Sequence, residues 1–188
     1  MLDRIIGGWQ IHGLARVQSG LIVDFGNVRL VGFTRDDLQD FFKVRVDEDQ
    51  RMWMLPEDVI ENTVKAFNVS AASPTGYSSQ GPPQDRYFAP ANGPDCIETI
   101  DDNYGDCGER NIEIAGPLYK VVDLSVAKLI PIAGRVRAEF RFEVLNAFNW
   151  VNFTPVTGIG SDPNDYEVTG LNGQVDSRVV QIVSRISW

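Results

Sequence analysis

Cysteine, histidine, basic charge and long apolar runs are all scarce in this chain of 188 residues. Two cysteines, Cys96 and Cys107, make no zinc framework and allow at most one disulfide. His12 is the single histidine, on the polar parity of its strand, so there is no histidine-rich metal site, and no Ser-His-Asp or Cys-His arrangement stands out. Lys and Arg number 17 against 26 Asp and Glu, a formal charge of −9. Phosphate binding needs a basic excess, so nucleic acid is not expected as a partner. No apolar run approaches the ~20 residues of a spanning helix, and Met1 to Gly8 lack the basic and then apolar layout of a signal peptide. A helical membrane protein is excluded. A membrane β-barrel is not, because its strands alternate and never form such a run. What is present is globular in balance: 43% hydrophobic and 23% charged residues, with 17 Gly and 10 Pro, exclude wholesale disorder, collagen and coiled coil. The length suits one domain or a piece of something larger, and is too short for a two-domain enzyme with a cofactor.

Charge and pattern are unevenly spread. Leu21 to Ala115 hold 18 acidic and 8 basic residues, whereas the remainder has 8 acidic and 9 basic. The acidic centre is rich in Pro, Gly, Asn and Asp, and the flanks alternate. From Arg135 to Trp150, Val136, Ala138, Phe140, Phe142, Val144, Phe148 and Trp150 share one parity, broken by Asn146. The other parity carries Arg135, Arg137, Glu139, Arg141 and Glu143. Successive strand side chains point to opposite faces, so this is a strand with an apolar and a charged face. Sixteen residues at ~3.3 Å each would span roughly 50 Å, far beyond the usual strand of a soluble protein. Alternation recurs at Trp9–Val17, Val122–Ala127 and Val180–Trp188.

Four strands are therefore expected, at about 7–18, 117–130, 135–150 and 178–188. About four residues join the second and third, whereas about 98 and about 27 form the other two connections, loops 20–115 and 151–177. Outer-membrane barrels show such an alternation of short turns and long loops, and soluble sandwiches seldom need a loop of that length. Within the long loop, Thr34-Arg35-Asp36-Asp37 predicts a capped helix through Leu38, Phe41 and Phe42. Leu55-Pro56-Glu57-Asp58 predicts a second, through Val59, Ile60, Val64 and Phe67. The fold class expected is all-β: antiparallel strands of a partial transmembrane β-barrel, with a long, ordered but irregular loop carrying short helices.

Several blocks resemble one family, in family order. They are Gly7-Gly8-Trp9-Gln10 with Gln18-Ser19-Gly20; Arg110-Asn111 with Gly116-Pro117 and Asp123 to Lys128; Phe140 to Asn149 with Asn152-Phe153; and Arg178 to Trp188. Together they resemble the C-terminal barrel part of an Oar-like TonB-dependent outer-membrane receptor. That resemblance implies a 22-stranded barrel with an internal plug, an amino-terminal carboxypeptidase-regulatory-like domain and energy coupling through TonB. It implies the outer membrane of a Gram-negative bacterium as the location, with outer-membrane lipid, the remaining barrel and plug, TonB, the barrel-assembly machinery and an unidentified ligand as partners. Spreading 188 residues over 22 strands leaves ~8.5 each, below the ~9 to 11 that one spanning strand takes. The chain is thus expected to supply the last four strands and to transport nothing alone, with Met1 an internal methionine or a truncated gene start. Gln181, Ile186 and Trp188 resemble the outer-membrane insertion signal, and a closing aromatic suits a membrane interface.

The chemistry that remains is modest, and no cofactor is implied. Under the resemblance, Arg135, Arg137, Glu139, Arg141 and Glu143 form a charge ladder inside the lumen. Glu139 and Glu143 as a glycosidase pair would lie ~13 Å apart at their Cα atoms, with arginines holding both ionised. No catalytic constellation stands out, so an enzyme is not expected. Cys96 and Cys107 enclose ten residues in an oxidising compartment and are read as a disulfide, worth ~3 kcal/mol by loop entropy. Asp101 to Asp106 has oxygen ligands and a glycine but lacks the full calcium-loop pattern, and Ser161 to Asp165 is weaker still. Trp53 and Tyr77 are candidates to stack on a ligand such as a glycan, or packing anchors. The alternative to a barrel is a secreted or periplasmic all-β binding module. It requires further apolar strand faces within 20–115 to cover Phe140, Phe142 and Trp150.

Overall fold

The computed structural model describes residues 6–91, 93–95, 111–173 and 177–188. Along the chain lie β1 (Trp9–Gln18), β2 (Ile22–Val31), α1 (Arg35–Phe41), β3 (Arg45–Val46), β4 (Met52–Trp53), α2 (Glu57–Phe67), β5 (Tyr87–Pro90), β6 (Asn111–Ala115), β7 (Tyr119–Ala133), β8 (Val136–Leu145), a 3-10 turn (Pro163–Tyr166) and β9 (Val179–Ser187). They divide into two units. One takes the chain up to Gln18, Leu118–Asn152 and Leu171–Trp188; the other takes Ser19–Pro117 and Phe153–Gly170.

The first unit is a four-stranded antiparallel sheet in the order β1-β7-β8-β9, open at β1 and β9 among the described residues. Strand β7 runs for 15 residues, which at ~3.3 Å per residue is roughly 50 Å. Gly134 and Arg135 turn the chain from Ala133 into Val136, with Gly134 at φ +56. Two-residue hairpins favour glycine at that position. Registers Gln18↔Tyr119 and Leu145↔Val179 place both long connections at the opposite end of the sheet from this turn.

Strand β8 is shorter than its sequence suggests: ten residues ending at Leu145, not sixteen reaching Trp150. Asn146 is where the alternation breaks, and the reason is conformational. Asn146 and Asn149 adopt left-handed φ of 48° and 53°, a region that asparagine tolerates better than most residues. The fully buried Asn146 receives Trp150 N–H on its side-chain oxygen at 3.0 Å and donates to Trp150 O at 2.8 Å, while its own N–H reaches Asp123 Oδ1 at 2.9 Å. Asn152 repeats the device against Lys120, accepting from its N–H at 2.8 Å and donating to its carbonyl at 2.9 Å. Both side-chain amides imitate a strand partner, so the backbone leaving β8 is satisfied as it folds onto the start of β7. Phe148 and Trp150 stack with ring centroids 5.0 Å apart.

The second unit departs most from the irregular loop expected at 20–115. It contains a three-stranded sheet, β5-β2-β6, a small β3-β4 hairpin and both helices. Strand β2 buries Val23 and Phe25, exposes Asp24, and then shifts register at a bulge between Asp24 and Asn27 so that Val28 is buried in turn. Gly26, at φ +73, makes the bulge. The shift interrupts the alternation and hides this strand from a period-2 reading. Helix α1 begins at a capping box in which Thr34 and Asp37 bond reciprocally, and Pro56 precedes α2. The core joins Val23, Phe25, Leu38, Met54, Val59, Phe88, Ile114, Tyr166 and Val168, so both chain segments contribute to it. Phe25, Phe33 and Phe88 pack edge-on or tilted, with Phe88 wholly buried. Gly20 lies so near the Gly116 carbonyl that a Cβ there would sit 2.1 Å from its oxygen. Only glycine fits that approach.

Candidate functional site

The four strands of the first unit present two chemically opposed faces. On one, Ile11, Gly13, Ala15 and Val17 of β1 lie beside Val122, Leu124 and Val126 of β7, then Phe140, Phe142 and Val144 of β8 and Val180 and Ile182 of β9. These side chains are not covered: Phe140 is 50% exposed, Phe142 47% and Ile182 77%. Lys128 and Lys120 interrupt the face eight residues apart on β7, roughly 26 Å along the strand. The Lys128 ammonium lies 4.9 Å from the Trp9 ring centroid, and that of Lys120 lies 5.2 Å from the ring of Trp150. Each lysine thus leans its charge on an aromatic at a border of the apolar stretch.

The opposite face is charged and internally paired. Arg141 donates to Glu139 Oε1 through Nε at 3.0 Å and Nη2 at 2.6 Å, and to Glu143 Oε1 through Nη1 at 3.3 Å. Glu143 also accepts from the Gln181 amide of the neighbouring strand. Arg137 shares the parity and faces Ser187 in register, while Glu139 faces Arg185. Four of the five expected ladder residues therefore occupy this face. The fifth, Arg135, does not: it stands in the two-residue turn, because the strand begins at Val136. Glu139 and Glu143 share one arginine, and in register they face Leu129 and Arg185, and Ser125 and Gln181, respectively. With Arg141 40% exposed, solvent screens these ion pairs, which order the charged face more than they stabilise it. His12 lies opposite Ser125 on the charged face. Of the three insertion-signal residues, Gln181 joins the charged network, Ile186 takes the apolar parity, and Trp188 is exposed one residue beyond β9.

A family model for an outer membrane beta barrel domain matches residues 1–181. The chain belongs to this outer membrane β-barrel family. A search of the curated proteins and of the solved structures finds no match. Membership explains the strand unit directly: a barrel strand alternates between lipid and lumen, so an uncovered apolar face belongs against lipid and a charged face inside. The outer membrane is accordingly the protein's location. The protein is mostly antiparallel strand with few helices, and among the described residues its four-stranded sheet does not close into a barrel.

The inserted unit of this barrel-domain protein holds the remaining candidates. Trp53 donates its indole N–H to Asp47 Oδ2 at 2.8 Å, and the Arg51 guanidinium lies 4.6 Å from its ring centroid. Arg51 also pairs with Glu167 at 2.7 Å, and Val168 N–H reaches Met52 O at 2.7 Å, so the second chain segment fixes this hairpin. The Trp53 indole holds the Asp47 carboxyl below its ordinary range, helped by the Arg51 and Asp49 amides. Tyr77 is not a platform. It is buried, and its hydroxyl donates to Asp95, as does that of Tyr87 at 3.2 Å. Burial first, then the Asp95 carboxylate, push the Tyr87 phenol up to about 12 and that of Tyr77 higher still. In the Ser161–Asp165 stretch, Asp162 caps the 3-10 turn by accepting from Asn164 N–H at 2.9 Å. Cys96, Cys107 and the acidic run Asp101–Asp106 lie outside the described residues. Sequence reasoning missed the asparagine clasp at Asn146 and Asn152. Its signal was the single polar interruption of an apolar parity.

Proposed function

We propose that this chain is the C-terminal barrel portion of an Oar-like TonB-dependent receptor, serving ligand binding and uptake across the outer membrane of a Gram-negative bacterium and not catalysis. The observation that carries the reading is the uncovered apolar face, bordered by Lys–Trp pairs and backed by a paired charged face, on strands whose long connections all leave from one end. Barrel proteins place long loops outside the cell, so the inserted acidic unit is extracellular in this reading. The open edges at β1 and β9 pair with the rest of the barrel, and the charged face meets a plug. Energy reaches the assembly through TonB, and the barrel-assembly machinery reads Gln181, Ile186 and Trp188. Without those other parts these strands do not transport.

Washing bacterial membranes with alkaline carbonate or urea tests the proposal. The chain, expressed in its natural host, is expected to stay in the outer-membrane fraction. Recovery wholly in the soluble fraction would overturn a barrel role. Retention in the parent strain, with uptake unchanged in a strain lacking the coding region, would overturn the receptor role alone.

A further inference from the structure

Cations, and no acid, share the parity of the sheet that faces lipid. Lys120 and Lys128 stand on it in β7, and Arg178, one residue before β9, continues the parity of Val180 and Ile182. A cation on this face is costly at the bilayer midplane and tolerated near the headgroups. Lys120 and Arg178 lie at the same end, the one from which the long connections leave. Leu124, Val144 and Val180 form one row across β7, β8 and β9, with Lys120 four residues beyond it and Arg178 two. Two strand spacings and two residues of offset put their Cα atoms roughly 12 Å apart. The chain leaving β8 fills the interval: Ala147 N–H reaches Val122 O at 2.7 Å, and Asn149 Oδ1 accepts Arg178 N–H at 3.2 Å. That chain carries the exposed Phe148, stacked on Trp150. Among the described residues neither cation forms an ion pair. Lys120 leans on the Trp150 ring, a contact that takes none of its three N–H donors.

We propose that Lys120 and Arg178 form a site for the phosphate of an anionic lipid headgroup, whose acyl chains lie along the apolar columns that continue from them. Two separate features select this occupant. Both cations have donors left for phosphate oxygens, and the uncovered Phe142 and Val180 follow on the same parity to take the chains. A soluble anion gains nothing from that apolar surface, and a zwitterionic headgroup brings its own cation against the pair. The aromatic stack between the two cations suits the interface depth at which headgroups lie. The site rests on the barrel membership and not on the receptor reading. Lipid preference is measured in detergent, so it stands or falls apart from any change in uptake.

The test is quenching of tryptophan fluorescence of the full chain in nonionic detergent micelles doped with brominated phosphatidylglycerol or brominated phosphatidylcholine at low ionic strength. Phosphatidylglycerol is expected to quench at a mole fraction at least about fivefold lower, a preference that shrinks as salt rises. Lys120→Gln with Arg178→Gln is expected to bring the two lipids within about twofold of each other, while Lys120→Arg with Arg178→Lys keeps the preference. Arg16→Gln with Arg185→Gln removes the same charge from the opposite face and is expected to leave the preference within about twofold of the parent's. No preference in the parent chain, or its persistence in the Lys120→Gln, Arg178→Gln variant, overturns the proposal. So does an equal loss in the opposite-face variant, which would mean general charge, or in the charge-keeping variant, which would mean a structural role. Abolition by inorganic phosphate at the lipid's concentration, ionic strength held constant, would mean a free-anion site and overturns it as well.

Discussion

Strands β1 and β2 are both ten residues long, yet β1 alternates with one exception and is exposed at every residue, whereas β2 has its alternation broken at a bulge and buries Val23, Phe25 and Val28. The two units also differ in charge: 21 acidic against 8 basic residues in the inserted unit, and 5 against 9 in the strand unit. The inserted unit folds as water-soluble domains do, by covering its apolar residues with its own helices. The strand unit leaves its apolar residues to be covered by lipid, and pairs its charges on the other face. Alternation therefore reports that a strand has two faces, and the identity of the covering material has to be found elsewhere.

The comparison can be broken or sharpened by substitution. Phe88→Ala empties the centre of the inserted core and is expected to cost about 3–5 kcal/mol. Limited proteolysis should then cut within 20–115 while the β7–β8 hairpin stays protected; equal loss of protection in both would show one cooperative body. On the apolar face of the sheet, Phe142→Arg is expected to cost about 2–4 kcal/mol in a bilayer. Ser125→Arg, in register with Glu143 on the charged face, should cost far less. Unfolding titrations in phospholipid vesicles compare the two, and equal costs would remove the assignment of the faces. Asn146→Ala leaves Trp150 N–H and O without their partners and places alanine at a left-handed φ, for about 1–3 kcal/mol. Hydrogen exchange at Trp150 should rise first.

The smaller effects belong to α1. Thr34→Ala removes half of the capping box and is expected to cost about 1 kcal/mol, seen as a lower unfolding midpoint of the inserted unit. Bonds from the Thr34 backbone and hydroxyl hold the Asp37 carboxyl below its usual range. A depressed acid stabilises the fold above its unfolded pKa of about 4 and loses that contribution as pH falls through the folded value. Acid titration followed by NMR of α1 should show that loss below about pH 4, reduced in Thr34→Ala, which keeps the backbone bond to Asp37 and loses the hydroxyl; an unchanged profile in the variant would place the effect elsewhere.

Much of the strand unit is readable from the chain because its pattern is local. Arg137, Glu139, Arg141 and Glu143 against Phe140, Phe142 and Val144 state both faces without reference to any neighbour. Helices α1 and α2 announce themselves for the same reason, through Thr34 with Asp37 and through Pro56 with Glu57 and Asp58. Strands β2, β5 and β6 were not readable. Gly26 inserts a bulge that resets the parity of β2, β5 is four residues long, and β6 is five. The β3-β4 hairpin at Trp53 was equally hidden, because Glu167 and Val168, which fix it, come more than a hundred residues later.

Composition and alternation by themselves determined an all-β chain with two-faced strands, no spanning helix and an acidic middle, since each of these depends only on neighbouring residues and their sum. Tertiary structure alone decided that the acidic middle builds its own core around Phe88, that Asn146 ends β8 by clasping Trp150, and that Arg135 belongs to the turn. Coverage of an apolar side chain, and the partner of a buried amide, are contributed by residues distant in the chain. No local pattern carries that information.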